Sequence, residues 1–405
     1  MASRATEPIE TGLPPKSGSP LPEFMTAPAA RYYGIDVLRG AAALLILFRH
    51  VPRPEEAGWL ADTARFVSAV GWIGVDLFLV VSGFLISRIL FREIDQTGRI
   101  NPGRFWFRRG CMIWPSYFVF YGIGMATVVL GDQGAPVHSI SKYWPNLLFI
   151  QNYFPDGMRW RHSWSLAVEE QFYIILPLLL MLCLMSRARR LGAPGDFFLP
   201  GLLTLCLLAP VARAVVVSGG GDWEAIYYPT HLRIDALAWG VLLGYLVHYR
   251  TAWLGAQLAK FKGAAGFSVV PLVAVVYLNP IESSPMFWAA GFTLLSVCFF
   301  GMVAVAALPR DGAAGPQWTW FHRLTRVFAW VGVYSYTIYL AHAIVFKLPH
   351  MSEFRGWFYR LADIGTWSDF VLFIGLSILL GWLGAKLLEQ PILKWRDRTY
   401  PVLKP

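Results

Sequence analysis

The stretch GWIGVDLFLVVSGFLISRIL, residues 71–90, decides the fold class of this chain. Its only charged side chains are Asp76 and Arg88. A helix rises 1.5 Å per residue, so a segment of this length covers about 30 Å, the thickness of the hydrocarbon core of a bilayer. Lipid offers the backbone no hydrogen-bond partners, and a helix satisfies them internally. The stretch therefore predicts a transmembrane helix.

Apolar runs of similar length recur along the chain. They cover residues 110–130, 165–186, 197–217, 286–308, 328–346 and 368–388, and shorter candidates cover 34–51, 232–249 and 264–279. With 56% hydrophobic and 15% charged residues among 405, the chain holds more apolar surface than a soluble protein of this length buries. We therefore expect an all-α integral membrane protein, for which hydropathy alone gives seven to nine transmembrane helices. An interfacial helix is the alternative for the short segment 34–51.

Basic residues are distributed unequally between the predicted loops. If the N-terminus is cytoplasmic, the inner loops and the C-terminal tail hold most of the Lys and Arg, including Arg189, Arg190, Arg396 and Arg398. An excess of Lys and Arg marks the cytoplasmic side of a membrane protein. Both termini are therefore expected in the cytoplasm, and the net charge of +10 implies no nucleic acid partner.

Composition also divides the chain along its length. Residues 1–30 are rich in Pro, Gly and Ser and predict a disordered tail, with Met1 or Met25 as the natural start. Residues 31–398 form the predicted transmembrane domain and residues 399–405 a C-terminal tail, with no further fused domain expected. The four cysteines show neither paired nor metal-ligand spacing, so we expect no metal.

Arg39 and His50 are the first ionisable pair inside an apolar segment. They are eleven residues apart, which is three helical turns plus about 20°, so they lie on one helix face about 16 Å apart. Ionisable groups inside a membrane are costly and often functional. The alternative is that both side chains extend to opposite membrane interfaces.

At this point the sequence resembles the acyltransferase 3 family of multipass membrane acyltransferases. The matching stretches follow the family's order: YYGIDVLRG (32–40) with His50, GWIGVDLFLVVSGFLISRIL (71–90), FWFRRGCMIWPSY (105–117), SWSLAVEEQFYIILPLLL (163–180), HLRIDALAWGVLLGYL (231–246), YSYTIYLAHAIV (334–345) and LLEQPILKW (387–395). Each stretch is modest alone, but their shared order over nearly the whole chain is specific.

The resemblance implies an O-acyltransferase of the cell inner membrane, with about ten transmembrane helices around a central polar cavity and with segment 34–51 as the first of them. The implied donor is acyl-CoA, usually acetyl-CoA, on the cytoplasmic side. The implied acceptor is a hydroxyl of a cell-envelope glycan or a lipid-linked saccharide, with membrane lipids around the helices. Two alternatives stay open: acylation of a secreted small molecule such as a macrolide sugar, and transport or flipping of a solute through the polar cavity.

Three residues are the predicted catalytic group. A neutral imidazole at His50 can take the proton of a hydroxyl that attacks a thioester, or can carry the acyl group itself. Arg39 is expected to bind a donor phosphate or to hold the thioester end. Glu169, rather than its neighbour Glu170, is expected to face inward and to position the acceptor or polarise His50, with a structural role as the alternative.

A basic group where the chain re-enters the membrane is the predicted donor site. Arg104 and Arg108 are four residues apart, so on a helix they face the same way. With Arg109 they are expected to bind the phosphates of coenzyme A. The alternative is an ordinary anchor at the cytoplasmic interface.

Three further residues are expected to line the polar cavity: Asp76, Arg233 and His342. Asp76 is expected to orient a positive partner such as Arg39 or His50. Arg233 and Asp235 would point to different sides of a helix, and Arg233, near the outer end of its span, is favoured as the cavity residue. For Asp76 and His342, a role in helix packing is the alternative.

Two smaller predictions concern local structure. Ser82 and Gly83 are expected in a seam of small residues between helices. Glu389 and Pro391 are expected to end the last helix, since proline disrupts a helix interior.

Overall fold

A computed structural model describes residues 32–51, 58–131, 143–154, 160–189, 195–260, 269–278, 283–308, 319–347 and 367–400. The described residues form helices connected by turns, which agrees with the predicted all-α class. The helices are α1 Tyr33–His50, α2 Trp59–Val70, α3 Ile73–Thr97, α4 Pro102–Gly131, α5 Trp144–Leu147, α6 Trp164–Arg189, α7 Gly195–Ser218, α8 Trp223–Tyr227, α9 Thr230–Tyr249, α10 Thr251–Lys260, α11 Val269–Leu278, α12 Phe292–Ala307, α13 Thr319–Val333, α14 Ser335–Lys347, α15 Trp367–Gly384 and α16 Gln390–Thr399.

Five helical segments are long and apolar enough to span a membrane: residues 73–97, 161–185, 198–218, 287–307 and 367–399. A sixth arises if α13 and α14, which are bent by 77° to each other, form one broken span. Helix α1 carries Asp36, Arg39 and Arg49 within its 18 residues and is not among these five segments. The structure thus supports a multipass membrane protein, while the count of ten spans and the cytoplasmic termini stay predictions.

Glycines allow the central helices to approach closely. A Cβ atom on Gly332 of α13 would lie 1.8 Å from the carbonyl oxygen of Asp36 in α1. A Cβ atom on Gly240 of α9 would lie 2.1 Å from the carbonyl oxygen of Val80 in α3. These distances are far below any real contact, so both backbone-to-backbone contacts require glycine. They fix α1 and α3, which carry Arg39, His50 and Asp76 of the predicted site.

The last helix does not end at Glu389 and Pro391, and that prediction is wrong. A π-helical turn, Ala385–Glu389, connects α15 to α16, which continues to Thr399. Pro391 lies in the first turn of α16, after that turn has already changed the hydrogen-bond pattern. Proline is tolerated there, so the helix carries on toward the basic C-terminus.

The predicted N-terminal tail, residues 1–30 with Met25, lies outside the described residues, and the C-terminal tail is described only to Tyr400.

Candidate active site

Helix α1 presents its two predicted catalytic residues to two different cavities. Arg39 lines a cavity of about 120 Å³, which we call the Arg39 cavity. His50, near the other end of the helix, lines a cavity of about 160 Å³, which we call the His50 cavity. Val75 of α3 and Tyr339 of α14 line both cavities. The two cavities adjoin through these shared side chains, whereas the sequence predicted a single polar cavity.

The Arg39 cavity contains two cations and one carboxylate. Arg39 lies 3.9 Å from a carboxylate oxygen of Asp36. Arg109, from the first turns of α4, lies over the ring of Tyr173 at 5.2 Å, and its Nε is buried without a hydrogen-bond partner among the described residues. Glu169 of α6 accepts a hydrogen bond of 2.7 Å from the Tyr173 hydroxyl. An anionic ligand would meet two guanidinium groups here, of which that of Arg39 is already paired with Asp36.

The His50 cavity is lined mainly by aromatic and basic side chains. Its lining residues are Ile46, Arg49, His50, Trp72, Val75, Arg161, His162, Trp164, Trp223, Tyr227, Tyr228 and Tyr339. Arg161 is held by Glu224 at 2.5 Å. Outside the membrane-spanning segments, burial raises the pKa of Tyr228, so its hydroxyl stays protonated at neutral pH. Aromatic faces with hydroxyl and basic groups between them suit a polyhydroxylated ligand.

The backbone fixes the tautomer of His50. Its Nδ1 lies 2.9 Å from the carbonyl oxygen of Ile46. A carbonyl oxygen only accepts, so Nδ1 carries the proton in the neutral ring and Nε2 carries the lone pair. A general base needs this free nitrogen.

Two further histidines continue from His50 through the bundle. The rings of His50 and His342 are 5.1 Å apart, and those of His342 and His162 are 5.2 Å apart. His162 also lines the His50 cavity, and its Nε2 is buried without a hydrogen-bond partner among the described residues. In the part of the chain that the structure describes, no three His, Cys, Asp or Glu side chains have the geometry to hold a metal ion.

The three arginines of the predicted donor site have different surroundings and do not form one cluster. Arg109 lines the Arg39 cavity, whereas Arg108 pairs with Asp397 of α16 at 2.9 Å and donates to the backbone oxygen of Tyr400. Arg104 lies one turn earlier, where Asn101 caps the helix by accepting from the Arg104 backbone N–H at 3.0 Å. Consecutive residues point about 100° apart on a helix, which separates Arg108 from Arg109.

Asp76 and Arg233 form a buried ion pair of 2.5 Å between α3 and α9. Both side chains are only 1% exposed, and neither lines the two cavities. The partner of Asp76 is thus Arg233, and the prediction that it orients Arg39 or His50 is wrong. Arg233 also lies over the Phe292 ring at 3.7 Å and the Tyr227 ring at 5.1 Å. Because Tyr227 lines the His50 cavity, the ion pair packs against the aromatic lining of that cavity.

Glu169 faces inward, as predicted, and Glu170 instead accepts from the Trp114 indole N–H at 2.9 Å. Glu169 lies in the Arg39 cavity, so it shares a chamber with Arg39 and not with His50. Ser82 is also a cavity residue rather than a packing residue, since its hydroxyl lies 2.6 Å from that of Tyr173.

Gly83 does pack between helices, as predicted. A Cβ atom on it would lie 2.1 Å from the carbonyl oxygen of Leu237.

Among the residues that sequence reasoning missed, His162 directly precedes the stretch 163–180 that resembles the family, and Tyr339 lies three residues before His342. The available signal was their position, since His162 adjoins one matched stretch and Tyr339 lies within another, 334–345.

Known proteins resemble this chain over most of its length. The family model described as "Acyltransferase domain" matches residues 32–386. A putative O-acetyltransferase of Staphylococcus aureus is 27% identical over 392 residues, which cover 91% of this chain and 59% of that protein. The putative peptidoglycan O-acetyltransferase YrhL of Bacillus subtilis is 28% identical, with 89% of this chain and 54% of that protein covered.

The peptidoglycan O-acetyltransferase OatA of Listeria monocytogenes is 24% identical, and the match covers 91% of this chain and 58% of that protein. The chain thus spans somewhat more than half the length of the curated relatives it matches. No solved structure matches the chain.

Proposed function

The chain belongs to the acyltransferase domain family, and from this premise we propose that it transfers an acetyl group from acetyl-CoA to a hydroxyl of a cell-envelope glycan. Family membership, which the sequence motifs predicted, makes the chain an enzyme that transfers acyl groups. The donor, the acceptor and the residues that act on them are the parts that we propose.

The observation that carries the proposal is the pair of adjoining cavities. One contains the guanidinium groups of Arg39 and Arg109, which suit the phosphates or the leaving thiolate of an acyl-CoA. The other is aromatic and contains His50, which suits a sugar and a general base. Two substrates of different chemistry would thus approach from opposite ends of α1.

The reaction needs one base and one leaving group. A hydroxyl of the glycan, held in the His50 cavity, would lose its proton to His50 Nε2 as its oxygen attacks the thioester carbonyl. The new C–O bond forms, the C–S bond breaks, and the coenzyme A thiolate leaves on the side of Arg39. The thiolate takes a proton from water, and His50 returns its proton to water. Arg104 and Arg108 would extend the donor site at the surface.

A peptidoglycan acceptor is the first candidate among envelope glycans, because two of the relatives described above carry the name of a peptidoglycan O-acetyltransferase. The cytoplasmic membrane of a bacterium is the location at which acetyl-CoA and an envelope precursor meet. Acylation of a secreted small molecule would use the same two cavities. A transporter, in contrast, would need no general base such as His50 in the His50 cavity.

Mass spectrometry of envelope glycans tests the proposal. Cells with the gene should carry O-acetyl groups that disappear on deletion and return with the wild-type gene, but not with His50→Ala. Unchanged glycan acetylation in the deletion strain would contradict the proposed acceptor. Transfer that survives His50→Ala would contradict the proposed base.

A further inference from the structure

Tyr339 stands between the two cavities. It lines both of them, together with Val75, and only 6% of its surface is exposed. We call these two side chains the shared wall. Each of the other lining residues belongs to one cavity alone.

The hydroxyl of Tyr339 is held on both sides. It lies 2.9 Å from the Ser165 hydroxyl and donates to the backbone carbonyl oxygen of His162. A phenol has one proton, so the Ser165 hydroxyl must be the donor in the other hydrogen bond. The ring packs against Phe78 at 6.5 Å and His342 at 5.3 Å between centroids. The shared wall is therefore an ordered part of the core.

We propose that Tyr339, with Val75, sets the length of the acyl chain that the enzyme transfers and restricts it to short chains. This inference rests on the proposed function, in which the donor enters the Arg39 cavity and the acceptor enters the His50 cavity. The thioester carbonyl must then reach the hydroxyl beside His50. The shared wall lies on this path, so the acyl group has to fit beside the Tyr339 ring.

Each additional methylene would have to displace packed atoms of the shared wall. Protein interiors are close-packed, so a chain that exceeds the available space forces off-rotamer side chains or backbone shifts. Tyr339 resists such a displacement because its ring is packed and its hydroxyl is bonded to two elements, the 3₁₀ turn Arg161–Ser163 and α6. Acetyl is the shortest acyl group that carries a methyl, so it meets the least resistance.

The test compares donors of increasing length. Purified wild-type protein, Tyr339→Leu and Tyr339→Phe are each given acetyl-, butyryl- or hexanoyl-CoA with an N-acetylglucosamine tetrasaccharide, and ester product and free coenzyme A thiol are measured. The hexanoyl-to-acetyl ratio of transfer should rise about tenfold or more in Tyr339→Leu, the scale at which pockets discriminate small apolar groups. Tyr339→Phe keeps the ring and should change the ratio less.

Tyr121→Leu is the matched control. Tyr121 is also buried and donates its hydroxyl to a backbone carbonyl, that of Tyr143 at 2.9 Å, but it lines neither cavity. Its acyl-length profile should equal the wild type's. If Tyr339→Leu fails to fold, Val75→Ala widens the shared wall from the other side and should shift the ratio in the same direction.

Two negative results can be told apart. If the wild-type protein transfers acetyl but folded Tyr339→Leu or Val75→Ala keeps the wild-type length profile, the inference about the shared wall is overturned and the proposed function stands. If the wild-type protein releases no thiol from any of the three donors, the proposed function itself is overturned.

Discussion

At the scale of single residues, one hydrogen bond orients the His50 ring, from its Nδ1 to the Ile46 carbonyl oxygen. This bond holds the ring and leaves Nε2 free to accept a proton. Replacing His50 by Ala should lower transfer about 10²- to 10⁴-fold, the usual contribution of a general base, because no group replaces Nε2. Binding of coenzyme A should be unchanged, since its phosphates are proposed to bind in the Arg39 cavity, which His50 does not line. Steady-state kinetics and isothermal titration measure the two effects.

His231→Ala is the control for this substitution, because His231 is exposed and contacts Tyr153 rather than either cavity. It should keep wild-type transfer. If His50→Ala retained near-normal rates while folded, the role of His50 as base would be refuted.

Arg109 and Arg108 provide a second test, since the two neighbours have different surroundings. Arg109 lines the Arg39 cavity with its Nε buried and unpaired among the described residues, whereas Arg108 already pairs with Asp397. Arg109→Gln should therefore weaken coenzyme A binding clearly more than Arg108→Gln, as measured by isothermal titration. Equal losses would indicate that the phosphates bind at the surface across both side chains.

At the scale of helices, the Asp76–Arg233 pair joins α3 to α9 inside the bundle. Asp76→Asn leaves Arg233 buried without its counter-charge. Removing one partner of a buried pair typically costs about 3–5 kcal/mol. A markedly lower thermal midpoint in detergent is expected.

The exposed pair of Asp62 and Arg65 is the control for this loss. These side chains are 69% and 40% exposed, and Asp62→Asn should change stability by less than about 1 kcal/mol. Similar midpoints for Asp76→Asn and Asp62→Asn would show that the buried pair contributes little to holding α3 against α9.

The contact of α1 with α13 depends on glycine. Gly332→Ala would place a Cβ atom 1.8 Å from the Asp36 carbonyl oxygen, so α13 must move away from the helix that carries Arg39 and His50. A loss of thermal stability and of transfer is expected. Gly375→Ala in α15 meets no atom within 4 Å and should leave the stability unchanged or raise it, since Ala favours a helix. A tolerated Gly332→Ala would contradict the close contact.

At the scale of the whole molecule, the two cavities lie toward opposite ends of the bundle. Arg109 connects the Arg39 end to the basic segment that contacts α16, whereas Trp223 and Tyr228, just after Asp222, line the His50 end. Single cysteines beside Arg396 should be labelled from the cytoplasm and those beside Asp222 from outside, in a background without the four native cysteines. The reverse pattern would invert the donor and acceptor sides of the proposed reaction.

The sequence alone determined the class of the protein and several residues of its candidate site. A membrane-spanning helix is recognised from the apolar composition of one segment, so the sequence was sufficient to predict the helix at 71–90. The helical period is also local, so the shared face of Arg39 and His50 followed from their spacing. The ordered motifs predicted the family, which the match over residues 32–386 confirms.

Only the tertiary structure decided which residues meet. Asp76 and Arg233 are 157 positions apart, and Tyr339 and His162 are 177 apart. Local periodicity gives the direction of a side chain on its own helix but not the helix that it faces. The partner of Asp76, the chamber of Glu169, the divergence of Arg108 from Arg109 and the position of Tyr339 between two cavities follow from how helices pack. That packing depends on close contacts such as that of Gly332 with α1, which no single segment specifies.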